Sequence, residues 1–181
     1  VARLLKEDYS KGLLGENSEL GRWLRTKNVI EKIGDLLFLH GGVSTEINRL
    51  PISVTKINEL ARPNYAVNSG TSKEEATIMS STVGPFWSRF YFRIRSEKDK
   101  EKVLLTIDST LEKFKVNRIV TGHTIVADTI SVHYGGKVIN VDTHHAEGKS
   151  EALLIDGGEF YRVNAEGKKV LLFIDDKRKL N

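Results

Sequence analysis

The sequence has 181 residues, of which 39% are hydrophobic and 29% are charged, and its formal net charge is +4. This composition is typical of a soluble globular domain, and no apolar stretch approaches the roughly 20 residues that a membrane-spanning helix needs. Because most basic residues are interspersed with acidic ones, neither nucleic acid nor a membrane is predicted as a partner.

The first residue is Val1, and the only methionine is Met79. We therefore expect the chain to be a piece of a longer protein. Its N-terminus gives no indication of localisation; the cytoplasm is the default and the periplasm the alternative. The absence of cysteine excludes disulfides and thiolate metal sites.

Helical patterns dominate the chain before residue 116. A short helix is predicted after the N-cap residue Ser18, followed by a hairpin in which VIEKI and LLFLH flank a Gly34-Asp35 turn. LLFLH is almost entirely apolar, which is typical of a central strand. Three further helices are predicted, over residues 53–62, after the capping residue Ser72 and, with the clearest apolar spacing, over residues 97–115.

Strand patterns dominate after residue 116. NRIVTGH predicts a strand ending at Gly122-His123, after which the apolar period changes to two. Two further hairpins are predicted, because one Gly-Gly pair stands between TISVHY and KVINVDT and another between EALLID and EFYRVN. A last strand is predicted in KKVLLFI. Since no repeat or flexible linker interrupts the chain, residues 1–181 are predicted to form a single α/β (α+β) unit.

Two histidines stand beside glycine at the end of a predicted strand, His40 in LHGG and His123 in TGHT. Strand ends that lead into loops are where α/β proteins place reactive groups, and an adjacent glycine lets the chain turn and leaves room for a ligand. Neutral imidazole binds Zn, Fe, Mn and related ions, so both are candidate metal ligands. The alternative is that each is a hydrogen-bonded core histidine.

A catalytic metal site usually needs at least three protein ligands, and VDTHHAEG offers one of the adjacent His144 and His145, and also Asp142, as further candidates. The alternative for His144 is a solvated turn. Arg89 in GPFWSRF lies among aromatic residues, and a fixed guanidinium suits bidentate binding of a phosphate. The alternative for Arg89 is that it stacks on Trp87 for packing.

The motifs LLFLHGGVS, GPFWSR, RIVTGHT and GGKVINVDT, in this order, resemble the C-terminal half of the calcineurin-like metallophosphoesterases, and in particular their bacterial phosphoprotein-phosphatase-like branch, which includes the Shewanella-like phosphatases. The resemblance runs from about residue 20 to about residue 173. It implies a four-layer αββα sandwich. It also implies that His40 and His123 ligate one metal of a dinuclear Mn, Fe or Zn centre, and that Arg89 contacts the substrate phosphate.

The other metal-binding motifs of that family, GDxH, GDxxD and GNHE, do not occur in this chain, whose only Gly-Asp pair is Gly34-Asp35. The resemblance therefore implies that an N-terminal metal-binding half is missing, that the chain alone is inactive, and that it holds at most one weakly bound metal. It implies two protein partners, the missing half and, through an exposed apolar sheet face, a second copy in a homodimer.

For the parent protein, the resemblance implies a phosphatase acting on phosphoserine, phosphothreonine or phosphotyrosine proteins or on small phosphate esters. Two alternatives from other classes remain. One is a non-catalytic binding or regulatory module derived from the same fold. The other is a hydrolase of nucleoside polyphosphates of the diadenosine tetraphosphate type.

Overall fold

The computed structural model describes residues 13–15, 17–65 and 72–175. It contains the helices α1 (Glu19–Leu24), α2 (Thr45–Arg49), α3 (Val54–Ala61), α4 (Lys73–Ile78) and α5 (Glu97–Phe114), with short 3-10 turns at Arg62–Asn64, Tyr134–Gly136 and His145–Glu147. The strands are β1 (Ile30–Ile33), β2 (Leu36–Leu39), β3 (Arg118–Thr121), β4 (Ser131–His133), β5 (Val138–Asn140), β6 (Glu151–Asp156), β7 (Glu159–Asn164) and β8 (Lys169–Ile174). Within these described ranges, no helix is both long and apolar enough to cross a bilayer.

The strands form two sheets, which include all three predicted hairpins. The first sheet is mixed and has the spatial order β1-β2-β3-β5-β4, with β2, β3 and β5 parallel to one another and the two outer strands antiparallel to their neighbours. The second sheet is antiparallel, with the order β6-β7-β8. The parallel pairing of β2, β3 and β5 was not predicted, because it joins segments that are far apart in the chain.

Alternate side chains of the central strands face two different cores, as the period-two geometry of a strand requires. On one face, the fully buried residues Leu37, Ile119 and Val138 pack into a core that also contains residues of α2, α3, α4 and α5. On the other face, Leu36, Val120 and Ile139 pack with Phe160 of the second sheet. The described residues thus form three layers: helices, the five-stranded sheet and the three-stranded sheet.

The α/β class is confirmed, but a four-layer sandwich is not shown. In the described part of the chain, the helices that contribute buried core residues, α2, α3, α4 and α5, all pack on the first face of the five-stranded sheet, and none contributes to the core beside the three-stranded sheet. The two sheets are tied by Arg118 of β3, whose guanidinium lies 3.0 Å from the Asp175 carboxylate and 4.5 Å from the centre of the Phe173 ring.

The predicted helix over residues 97–115 ends one residue earlier than expected. The hydroxyl of Ser96 accepts the backbone N–H of Asp99 at 3.2 Å, which caps the first turn. Lys115 adopts the left-handed conformation at φ 52° and ends the helix. The predicted capping box at the start of α4 is also present, formed by Ser72 and Glu75.

Candidate active site

The two predicted histidines meet at one edge of the five-stranded sheet. His40 directly follows β2, and His123 follows β3 after one glycine. Because β2 and β3 are parallel, their carboxyl ends lie side by side, as in other open α/β sheets. His40 Nε2 lies 3.1 Å from His123 Nδ1, and the ring centres are 4.8 Å apart. The imidazoles therefore share one hydrogen bond.

The first glycine of the HGG motif makes room for protein backbone, and the expectation that it leaves room for a ligand is corrected. The N–H of Gly41 donates to the carbonyl of Pro85 at 2.7 Å. A Cβ added at Gly41 would lie 2.8 Å from that carbonyl oxygen and 2.9 Å from the backbone nitrogen of Ser88. This close approach holds the loop of residues 85–89 against the end of β2, and so brings Trp87 and Arg89 to the histidines.

His123 has a backbone conformation that few residues with a side chain adopt. Its φ is +64°, in the left-handed region, where a non-glycine residue carries local strain. The preceding Gly122 donates its N–H to the carbonyl of His40 at 2.9 Å, which fixes the turn. Strained residues of this kind concentrate at functional sites, and here the strained turn directs an imidazole onto His40.

Trp87 contacts the site, although the sequence pointed only to its neighbour Arg89. The indole lies edge-on to the His123 ring, with centroids 5.4 Å apart and an angle of 77° between the planes. Half of its surface is exposed. The aromatic partner that the structure shows for Trp87 is therefore His123, and the alternative in which Arg89 stacks on Trp87 is not observed among the described residues. The sequence signal for Trp87 was its position two residues before Arg89.

The charges around His123 favour its neutral form. Burial lowers the pKa of His123, and the positive charge of Arg89 and the neighbouring His40 lower it further, whereas Asp142 and the backbone of Trp87 act in the opposite direction. Within the described part of the chain, none of the ion pairs involves Arg89. An unpaired guanidinium beside two imidazoles makes a site that suits an anion.

His144, the additional candidate ligand, contacts a surface carboxylate. Its Nδ1 lies 3.0 Å from an oxygen of Asp128, and the ammonium of Lys149 lies 2.7 Å from the other oxygen of that carboxylate. Asp142 follows β5 and influences the pKa of His123. Participation of His144 in the site stays a prediction.

The donors at this edge of the sheet do not complete a metal site. Across the described ranges, no three His, Cys, Asp or Glu side chains are grouped so that they could hold an ion. His40 and His123 supply only two imidazoles, one fewer protein ligand than a catalytic metal site usually needs. On this ground, two predictions are wrong. They are the dinuclear Mn, Fe or Zn centre and the single weakly bound metal predicted for this chain alone.

This chain is similar to known proteins, whereas no family model matches it. A single-residue variant of a cold-active protein tyrosine phosphatase has a TM-score of 0.81 and 34% identity, over 95% of this chain and 50% of that one. The cold-active protein-tyrosine phosphatase of a psychrophilic Shewanella species has a TM-score of 0.71 and 31% identity, over 91% of this chain and 52% of that one. An uncharacterised protein of Acanthamoeba polyphaga mimivirus is 28% identical over 165 residues, which are 80% of this chain and 63% of that protein.

These comparisons bear on what the resemblance implied. The solved structures are named protein tyrosine phosphatases, so the resemblance to calcineurin-like metallophosphoesterases is corrected to a similarity with proteins of that name. The chain spans about half the length of these structures. Neither a missing N-terminal half nor a homodimer gains support from them.

Proposed function

We propose that this chain belongs to a phosphatase that hydrolyses phosphate monoesters, and that His40, His123 and Arg89 form the part of its site that contacts the phosphate. The observation that carries the proposal is the imidazole pair, 3.1 Å apart at the ends of two parallel strands, together with the charge of Arg89, which acts on His123 and is in no ion pair among the described residues. Similarity to solved structures named protein tyrosine phosphatases supports a phosphorylated protein as the substrate.

Each of the three side chains has a chemical role in this proposal. The guanidinium of Arg89 can donate two parallel hydrogen bonds to phosphate oxygens, which is a strong and geometrically specific contact. The low pKa of His123 keeps that imidazole neutral near pH 7, where it can either donate or accept a proton. His40 fixes the orientation of His123 through the bond between the rings, so that the site is arranged before the substrate binds.

We further propose that the 181-residue chain binds the phosphate group but needs additional polypeptide for turnover. Support for this part comes from the small number of reactive groups at the site. The imidazole pair and Arg89 can hold a phosphate, but a nucleophile other than imidazole is not among the contacts described for them.

The test measures hydrolysis of p-nitrophenyl phosphate and of a phosphotyrosine peptide by the 181-residue chain and by the longest natural polypeptide that contains it. Replacing His123 or Arg89 by Ala should lower kcat/KM of the active form by about 10²–10³-fold, the usual effect of losing one group that stabilises the transition state. His145→Ala is the matched control, since the imidazole of His145 is exposed and contacts Ser150. Full activity in both site variants would refute the proposed function.

A further inference from the structure

Trp87 lies beside His123, one of the residues proposed to contact the phosphate. It belongs to the loop that supplies Arg89, its indole contacts His123 edge-on, and half of its surface remains exposed. Two more apolar side chains, Ile125 and Val126, follow His123 in the chain and are 45% and 44% exposed. Trp87 thus leaves exposed apolar surface beside His123.

We propose, on the basis of the proposed function, that Trp87 binds the aromatic ring of an aryl phosphate and makes this site prefer aryl to alkyl phosphate esters. In an aryl ester the ring is joined to phosphorus through a single oxygen. A phosphate held by Arg89 and His123 therefore presents that ring close to the indole. An aromatic pair in edge-to-face or offset geometry adds about two- to twelvefold in affinity beyond simple burial of area. An alkyl ester has no ring and therefore lacks this additional affinity.

The competing explanation is that Trp87 only shields His123. An indole with that role would influence the pKa of His123 and the affinity for the phosphate group itself. Its removal would then change the binding of aryl and alkyl ligands by the same factor. The ratio of the two affinities therefore separates recognition of the ring from support of the imidazole.

The experiment measures binding of phenylphosphonate and of methylphosphonate to the 181-residue chain by isothermal titration calorimetry. These probes carry the same charged group, are not hydrolysed, and differ in the ring. We expect the wild type to bind phenylphosphonate more tightly. Trp87→Ala should weaken phenylphosphonate binding by roughly three- to tenfold and leave methylphosphonate within about twofold, and Trp87→Phe should keep most of the preference.

Trp23 is the matched control, because it is also an exposed tryptophan, 54% accessible, and its ring is covered by the ammonium of Lys27 rather than by a histidine. Trp23→Ala should leave both affinities unchanged. A Trp87→Ala variant that weakens both probes equally, or neither, would overturn the preference and leave the phosphate site standing. Failure of the wild type to bind either probe would instead refute the proposed phosphate site, and the preference with it.

Discussion

Replacement of Gly41 by Ala should destabilise the chain, because the new methyl group would meet protein backbone on two sides. Its Cβ would lie 2.8 Å from the carbonyl oxygen of Pro85 and 2.9 Å from the backbone nitrogen and oxygen of Ser88. Relief requires the 85–89 loop to move away, which weakens the Gly41–Pro85 hydrogen bond. Overpacking costs about 1–3 kcal/mol and the hydrogen bond about 0.5–1.5 kcal/mol, so the free energy of unfolding should fall by about 2–4 kcal/mol.

Urea denaturation followed by circular dichroism measures this loss. With a denaturant slope of about 2 kcal/mol per molar urea, the midpoint should fall by about 1–2 M. Gly122→Ala is the matched control at the same sheet edge, since the nearest atom to its added Cβ would lie at an ordinary contact distance of 3.6 Å. Its free energy of unfolding should change by about 0.5 kcal/mol or less. An unchanged midpoint for Gly41→Ala would show that the loop is not packed on β2 as described.

Three other predictions concern the groups around the site and between the sheets. Tyr91→Phe removes the buried hydroxyl that accepts the N–H of Val43 at 3.1 Å, so urea denaturation should show a loss of about 1–3 kcal/mol, and no loss would contradict the buried contact. Arg89→Gln should raise the pKa of His123 in an NMR titration, because the charge of Arg89 lowers it. An unchanged pKa would show that the charge of Arg89 does not act on His123. The folded pKa of His123 is below the ordinary 6.5, so neutral His123 stabilises the fold above pH 6.5, and this stabilisation is lost as the pH falls through the folded pKa. Arg89→Gln should reduce this loss of stability at low pH. Arg118→Met removes the ion pair and the ring contacts between the two sheets, and thermal unfolding should show a loss of about 1–3 kcal/mol, whereas an unchanged melting temperature would exclude this role.

Local patterns in the sequence predicted most elements of the fold. The long helix follows from its apolar spacing and the cap at Ser96, and each hairpin follows from strand patterns around a tight turn. The division of the strands into two sheets does not follow from such patterns. Leu37 faces Ile119 across a parallel pair whose strands are separated by more than 75 residues, and a choice of partner at that distance depends on packing in three dimensions.

The site was predictable in part. Glycine beside a histidine at a strand end indicated His40 and His123, and parallel strands then bring such residues together. The fit of Gly41 against the backbone of Pro85, and the contact of Trp87 with His123, depend on the 85–89 loop, which is distant in the chain from both Gly41 and His123. The dinuclear metal centre was inferred from a family resemblance, and the described residues do not group a third metal-binding side chain with His40 and His123.

The most direct test of the phosphate site is an NMR titration of the histidine ring signals with phenylphosphonate, in the wild type and in Arg89→Ala. We expect the ring signals of His40 and His123 to shift together and saturate with one binding constant, while those of His145 stay unchanged. In Arg89→Ala the binding should weaken by at least about tenfold, because the charge-assisted hydrogen bonds to the phosphonate oxygens are lost. Ring signals of His40 and His123 that do not respond in the folded wild type would contradict the account.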